Sequence, residues 1–311
     1  MRSYALDVNV FSITIGGMFE AYILPVAQNV GATIFHILPG TVVLGLGFTI
    51  LHWVAEPCNK GMPWWRKPGL ATDFVFMFGL PILGGWARVF FLIFGALFVY
   101  RISPDELDSF FKGGHGPLAG LPFWAQIVAF LILADLMMYW THRLFHGRSL
   151  WRYHAIHHAP EHLDWTSATR FHPINIFFHS VLADAVLLLL GISPEVLVYL
   201  SPLNVGMSAF VHANLDWTLG PFRYVVAGPV FHRWHHTDPE RGGDKNFAPT
   251  FPVLDLIFGT FHMPKGELPD RYGVDDKNFP EGVAAQLLYP FKKPKDPTLA
   301  ARQGAEPLPA K

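Results

Sequence analysis

Three short runs of histidine have the spacing of metal ligands. They are His142-x3-His146, His154-x2-His157-His158 and His232-x2-His235-His236. Residues three and four apart share one face of a helix, so each run would point two or three imidazoles in one direction. Neutral imidazole binds Fe, Zn, Cu or Ni, and eight such ligands are too many for one ion. The spacing therefore predicts a site for two metal ions.

Other polar residues near the runs are candidates for the same site. His212 is predicted as a ninth ligand, because the last apolar segment ends there on the same side as the runs. Asp135, two helical turns before the first run, and Asn214, two residues after the ninth ligand, are expected to support ligands. Histidine ligands normally donate their second ring N–H to such an acceptor. His172 and His179 are possible additional ligands.

Composition indicates that the chain contacts lipid. Of its 311 residues 51% are hydrophobic and only 15% are charged, whereas soluble domains average about 25% charged residues. The net charge of −1 leaves no basic excess for a nucleic-acid backbone, so that class of partner is excluded. Cys58 is the single cysteine, which excludes an intrachain disulfide and any cysteine-based metal cluster.

The elements that must position the histidines are predicted to be membrane helices. Five segments are long and apolar enough to span a bilayer: 31–52, 73–100, 122–140, 174–191 and 196–212. The second segment contains the glycine pair Gly84-Gly85 and Arg88, which predict either a kink or two shorter pieces. Residues 11–26 are predicted as an interfacial helix. The fold class is therefore an all-α integral membrane protein, a bundle of about four to six transmembrane helices with a histidine-rich cytoplasmic cap.

The chain is expected to have three parts. Residues 1–120 are an N-terminal transmembrane and interfacial region, 121–265 carry the histidine runs, and 266–311 form a polar tail. Lysine and arginine concentrate in the loops at 53–72 and 141–173, and basic loops favour the cytoplasmic side. The metal site is thus predicted on the cytoplasmic face of a bacterial inner membrane or the endoplasmic reticulum.

Taken in order, these motifs resemble the fatty acid hydroxylase/sterol desaturase superfamily of integral-membrane di-iron enzymes, over residues 131–263. The elements that carry the resemblance are Asp135 with the first run, the second run, Thr169-Arg-Phe-His172-Pro, Phe210-Val-His212-Ala-Asn214, the third run, Asn246-Phe247 and Asp255-Leu-Ile-Phe-Gly259-Thr260. Two departures are visible. Ser208 stands where some members add a histidine, and the haem-binding His-Pro-Gly-Gly segment of fused relatives is absent.

The resemblance implies two iron ions, O2 as co-substrate, and a membrane lipid as substrate, whether fatty acyl, sphingoid, sterol or carotenoid. Hydroxylation of a C–H bond is the expected reaction, and desaturation at the same metal site is the alternative. An external donor of the ferredoxin or cytochrome b5 type would supply electrons. A membrane zinc hydrolase, a haem protein or a non-catalytic metal-binding protein stays open as a different class. Four arginines are candidate readers of a lipid head group: Arg170, Arg223, Arg233 and Arg241.

Overall fold

The computed structural model describes residues 24–107, 110, 115–147, 149–276 and 278–292. Most of the interfacial helix predicted at 11–26, and the tail from residue 293, lie outside this range. The chain forms two compact units, Met1–Val43 and Leu44–Lys311. Every residue of the candidate site belongs to the second unit.

The described residues form helices and no strand, which confirms the all-helical prediction. Nine helices are numbered here in chain order: α1 Leu24–Val54, α2 Leu70–Phe98, α3 Phe123–Phe145, α4 Trp151–His158, α5 Pro173–Leu189, α6 Pro194–His212, α7 Pro229–His235, α8 Val253–Ile257 and α9 Val283–Leu288. Short 3-10 turns connect them at Trp64–Arg66, Pro104–Glu106, Trp165–Thr169, Gly220–Tyr224, Pro239–Arg241 and Tyr289–Phe291.

Among the described residues, three helices are long and apolar enough to cross a membrane: Gly31–Val54 within α1, then α2 and α3. The other two predicted spans are helices that fall short of this standard. Helix α5 is apolar but short, and a π-helical turn at Phe177–Val181 interrupts it. Helix α6 has 19 residues, but Glu195, Pro202 and other less apolar residues lower its hydropathy. Helix α2 continues without a break through Gly84-Gly85, where an interruption was expected.

The candidate membrane helices α2 and α3 pack against the shorter apolar helices. Phe130 and Ala134 of α3 form a buried cluster with Leu187 of α5 and Val196 of α6. Helix α2 approaches α5 so closely at Gly95 that a Cβ there would lie 2.3 Å from Leu189 Cδ1. This packing joins the first half of α3 to α5 and α6.

Buried ion pairs join the loops that flank the site. Asp73, at the start of α2, is fully buried and accepts hydrogen bonds from Arg170 Nε at 2.7 Å and Thr166 Oγ1 at 2.7 Å. Lys67 Nζ lies 2.6 Å from the same carboxylate and 3.0 Å from Asp164 Oδ1. Two cations and two carboxylates thus neutralise one another and fasten the turn Trp165–Thr169 to α2.

Candidate metal centre

The structure gathers the nine candidate histidines into two groups. Within each group every residue offers one ring nitrogen within 4.8 Å of the others. The larger group, called site A, consists of His142, His146, His154, His158 and His235. The smaller group, called site B, consists of His157, His212, His232 and His236. Two adjacent groups of histidine nitrogens are the arrangement expected of a two-metal site.

Helical spacing decides which site each histidine joins. On α4, His154 and His158 are four residues apart and belong to site A, while His157 points to site B. The third run, at α7, repeats this pattern with the sites exchanged. Its members are His232 and His236 for site B and His235 for site A. Both runs therefore contribute to both sites, so the two sites are built as one unit.

In site A, two ring nitrogens with lone pairs face each other. His142 Nδ1 donates to the Phe247 carbonyl at 2.8 Å, and His154 Nδ1 donates to Asn175 Oδ1 at 2.7 Å. A neutral imidazole has only one N–H, so each Nε2 carries a lone pair. These Nε2 atoms are 3.1 Å apart. Two lone pairs at this distance repel each other unless a cation lies between them.

Site B has the same short nitrogen-to-nitrogen distances. His212 Nε2 is 3.2 Å from His157 Nε2 and 3.1 Å from His232 Nε2, and His236 Nε2 is 3.1 Å from His232 Nε2. His212 Nδ1 donates to the Ser208 carbonyl at 2.7 Å, so Nε2 of the same ring carries a lone pair. Two imidazole nitrogens bound at right angles to one ion at about 2.1 Å are about 3.0 Å apart. The observed distances fit this arrangement.

Burial keeps these imidazoles neutral. It lowers the pKa of each of the histidines on α4 and α7, and the neighbouring imidazoles lower it further; these residues are His154, His157, His158, His232, His235 and His236. Neutral imidazole is the metal-binding form. An all-nitrogen donor set suits a transition metal, whereas Mg²⁺ and Ca²⁺ require oxygen ligands.

The two possible additional ligands lie outside both sites. His172 begins α5, and its Nδ1 accepts from the Ile174 backbone N–H at 3.1 Å. Its Nε2 donates to the Leu287 carbonyl at 3.2 Å, so both of its nitrogens are occupied. His179 lies in the π-helical turn, with its ring centroid 5.4 Å from that of His142. It lines the surroundings of site A without joining the converging nitrogens.

The two expected supporting residues have other partners. Asp135 accepts from the Phe251 backbone N–H at 3.1 Å, which joins α3 to the loop just before α8. Asn214 pairs through both amide atoms with the Asn59 backbone, at 2.9 and 2.8 Å. In the described part of the chain neither one hydrogen-bonds a histidine ring. Both side chains are instead hydrogen-bonded to backbone groups, and they hold loops beside the histidines.

Residues outside the histidine runs orient the rings. Asn175 holds His154, and Asp244 accepts from His146 Nδ1 at 3.0 Å. The Lys245 carbonyl accepts from His235 Nδ1 at 2.8 Å. Asp255 supports this arrangement indirectly. Its carboxylate accepts from the backbone N–H groups of Phe247 and Ala248 at 2.8 and 2.9 Å, and the Phe247 carbonyl accepts from His142. Asn175 is a buried amide in an apolar helix, a signal that sequence reasoning missed.

Two of the four candidate head-group arginines pair with acids. Arg170 is bound to buried Asp73, and Arg241 pairs with exposed Asp270. The Arg223 guanidinium lies 5.1 Å from the Tyr224 ring centroid, and its buried Nε has no hydrogen-bond partner. Arg233 is 1% exposed and donates to neutral acceptors.

Comparison with known proteins gives one family match and several relatives. Residues 127–260, which contain all nine histidines, match the family model described as fatty acid hydroxylase. The chain is 33% identical over 196 residues to the ornithine lipid hydroxylase OlsE of Rhizobium tropici. It is 32% identical over 143 residues to alkylglycerol monooxygenase of Homo sapiens. It is 29% identical over 147 residues to methylsterol monooxygenase 2-2 of Arabidopsis thaliana.

The similarity covers only part of each protein. The three alignments include 60%, 44% and 45% of this chain, and 59%, 31% and 55% of the respective relatives. The chain thus spans less than two thirds of the length of these relatives. No solved structure is significantly similar to it.

Proposed function

Residues 127–260 belong to the fatty acid hydroxylase family, and on that premise we propose that the protein uses two iron ions and O2 to hydroxylate a membrane lipid. The superfamily predicted from the histidine runs is confirmed. Relatives named as lipid hydroxylases and monooxygenases support an oxidative reaction. Hydroxylation is preferred to desaturation, because these names describe insertion of oxygen.

The observation that carries the proposal is the set of facing nitrogen lone pairs. Site A and site B would each hold one ion through their Nε2 atoms, with Nδ1 of five rings donating to oxygen acceptors. Bound iron would supply activation of O2 and removal of a hydrogen atom from an alkyl carbon. The carbonyls of Ser208, Lys245 and Phe247 fix the ring orientations before any metal arrives.

The rest of the chain supports a substrate that comes from the membrane. Helix α3 is a candidate span, and His142 lies in its last turn. A lipid dissolved in the bilayer would reach the histidines along this helix without leaving its apolar surroundings. The buried rings exclude water from the reacting atoms. We place this site at the cytoplasmic face, because the loops on that side are the basic ones, and electrons would come from a separate donor protein.

Metal analysis and lipid analysis test the proposal together. Protein purified from iron-supplied cells should contain two iron atoms per chain, and membranes of expressing cells should contain a lipid heavier by one oxygen atom. His154→Ala should abolish the product. His36→Ala is the matched control, because His36 is exposed and lies outside both sites. Zinc or haem in place of iron would overturn the proposal, and a lipid that has lost two hydrogens would show desaturation.

A further inference from the structure

A small cavity lies next to site B, where α1 meets the loops of the cap. Its volume is about 80 Å³, and its walls differ in character. Phe48, Trp64 and Trp165 form an apolar side, while Arg233 and Tyr272 belong to the polar side. Phe48 lies close to the end of a candidate membrane span. The cavity is therefore placed where the polar end of a lipid meets the protein.

The buried wall of this cavity carries a guanidinium with no acidic partner among the described residues. Arg233 Nε donates to Tyr272 Oη at 3.0 Å, and Nη2 donates to Asn59 Oδ1 at 2.6 Å. Nη1 donates to the carbonyls of Leu163 and His212 at 2.8 and 3.1 Å. All these acceptors are neutral groups. They account for four of the five guanidinium N–H bonds, and the Cys58 thiol, also a neutral group, is hydrogen-bonded to the guanidinium as well.

The neighbouring groups leave this charge uncompensated. Burial raises the pKa of the Tyr272 phenol and of the Cys58 thiol, so both stay protonated at neutral pH. Asp164 also lines the cavity, but it is bound to Lys67 at 3.0 Å. Glu161 and Lys60 are exposed at the rim and oppose each other in sign. A buried cation is costly unless an anion pairs with it.

The size of the cavity limits what that anion can be. One water needs about 10–15 Å³ of cavity volume, so the cavity holds about five to eight atoms of that size. A carboxylate or a phosphate fits, whereas a sugar ring or a sterol nucleus does not. The apolar side is suited to the first carbons of an attached chain.

We propose that this cavity binds the anionic group, carboxylate or phosphate, of the membrane lipid that the metal centre oxidises, and that Arg233 is the residue that recognises it. The assignment rests on the proposed function, because it names the class of lipid presented to sites A and B. A group held here lies directly behind His212, whose carbonyl accepts from the same guanidinium. The lipid would thus be anchored by its polar end beside site B.

Binding of simple amphiphiles to the iron-loaded protein tests the assignment. Dodecanoate, dodecyl phosphate and dodecanol are titrated in dodecyl maltoside micelles, and tryptophan fluorescence reports binding because Trp64 and Trp165 line the cavity. Both anionic probes, or one of them, should bind about tenfold or more tightly than dodecanol. Inorganic phosphate is titrated as well, to separate a lipid head group from free phosphate.

Two variants locate the effect. Arg233→Gln should remove the preference for anions, and its iron content shows whether the neighbouring ligand His232 still binds. Gly61→Phe should block the cavity from its mouth, where nothing lies within 4 Å of an added Cβ, without touching a metal ligand. Gly120→Phe is the matched control, since Gly120 has equally open space and lies outside the cavity.

The outcomes are distinct from failure of the proposed function, which would appear as missing iron or missing product. Equal affinity for dodecanol and the anionic probes in iron-loaded protein would overturn the assignment. An anion preference that survives in Gly61→Phe would do the same, because the binding would then lie elsewhere. Inorganic phosphate that binds as tightly as dodecyl phosphate would assign the cavity to free phosphate instead of a lipid.

Discussion

Sites A and B use the same donor atoms but hold their imidazoles differently. In site A, four of five rings donate Nδ1 to an oxygen acceptor; they are His142, His146, His154 and His235. In the described part of site B, His212 is the ring that does so. Buried Nδ1 atoms of His157 and His236 have no hydrogen-bond partner. The larger site is thus oriented by hydrogen bonds and the smaller one chiefly by packing.

In site B, ring stacking orients an imidazole that has no hydrogen-bond partner at Nδ1. The ring of His157 stacks on Phe171 with centroids 4.1 Å apart and planes 11° apart. Stacking fixes the plane of a ring but leaves it freer to slide than a hydrogen bond does. The rings of both sites are buried, and the side chain of His146 in site A is only 4% exposed. The two sites therefore differ in ring support: site A is the stiffer site, and site B is the softer one.

The largest expected effect comes from removing ligands that are adjacent in sequence. His157→Ala should empty site B and His158→Ala should empty site A, because the two rings point to different sites. Each variant should retain about one iron per chain and lose more than about a hundredfold in activity. Iron quantification and Mössbauer spectra measure this, since the remaining ion has a different environment in each case. Identical spectra from the two variants would contradict the division into sites.

Loss of a hydrogen bond behind site A should have the next largest effect. Asn175→Leu removes the acceptor for His154 Nδ1, which lies at 2.7 Å. Losing such a partner costs about 10–100-fold in metal affinity. Competition with a chelator, followed by spectra of the iron that remains, should show weakening at site A alone. Asn175→Asp keeps an acceptor oxygen and should restore most of the affinity; equal loss in both variants would mean that Asn175 serves only packing.

The sequence predicted which histidines come together better than it predicted the groups that orient them. Nine of nine candidate histidines come together, because ligand spacing on a helix is a local property that the residues carry themselves. The carbonyls of Ser208, Lys245 and Phe247 have no such signature, since every residue has a carbonyl. Asp135 and Asn214 were chosen for their proximity in sequence, but backbone N–H groups of distant loops satisfy them.

The candidate membrane helices show the same limit. Hydropathy located α1, α2 and α3, because a continuous apolar stretch is sufficient to predict a span. Hydropathy also predicted spans at α5 and α6. Both segments are helical, but α5 is too short and α6 is too polar to meet the standard for a span. A π-helical turn at Phe177–Val181 interrupts α5. Periodicity along one segment does not contain that information.

The softer hold on site B predicts that its ion is released first. When iron-loaded protein is equilibrated with increasing chelator, the ion at site B should dissociate at a chelator activity about tenfold lower than that for site A. The intermediate should have the same Mössbauer spectrum as His157→Ala, which lacks a site B ligand. Phe171→Leu removes the stacking partner of His157 and should widen the separation of the two steps. Loss of both ions in one step would show that the shared helices α4 and α7 outweigh the difference in ring support.

The smallest effect is expected at Asp244, the exposed support of site A. Its carboxylate accepts from His146 Nδ1 at 3.0 Å, but its side chain is 56% exposed, so water can replace it as the acceptor. Exposed pairs of this kind contribute about 0–1 kcal/mol and weaken as salt screens them. Asp244→Asn should therefore change the iron affinity of site A by no more than about fivefold, with less change at high salt. An effect as large as that of Asn175→Leu would show that site A does not depend on burial of its supporting hydrogen bonds, and the contrast between a stiff and a soft site would then have to rest on the ring contacts alone.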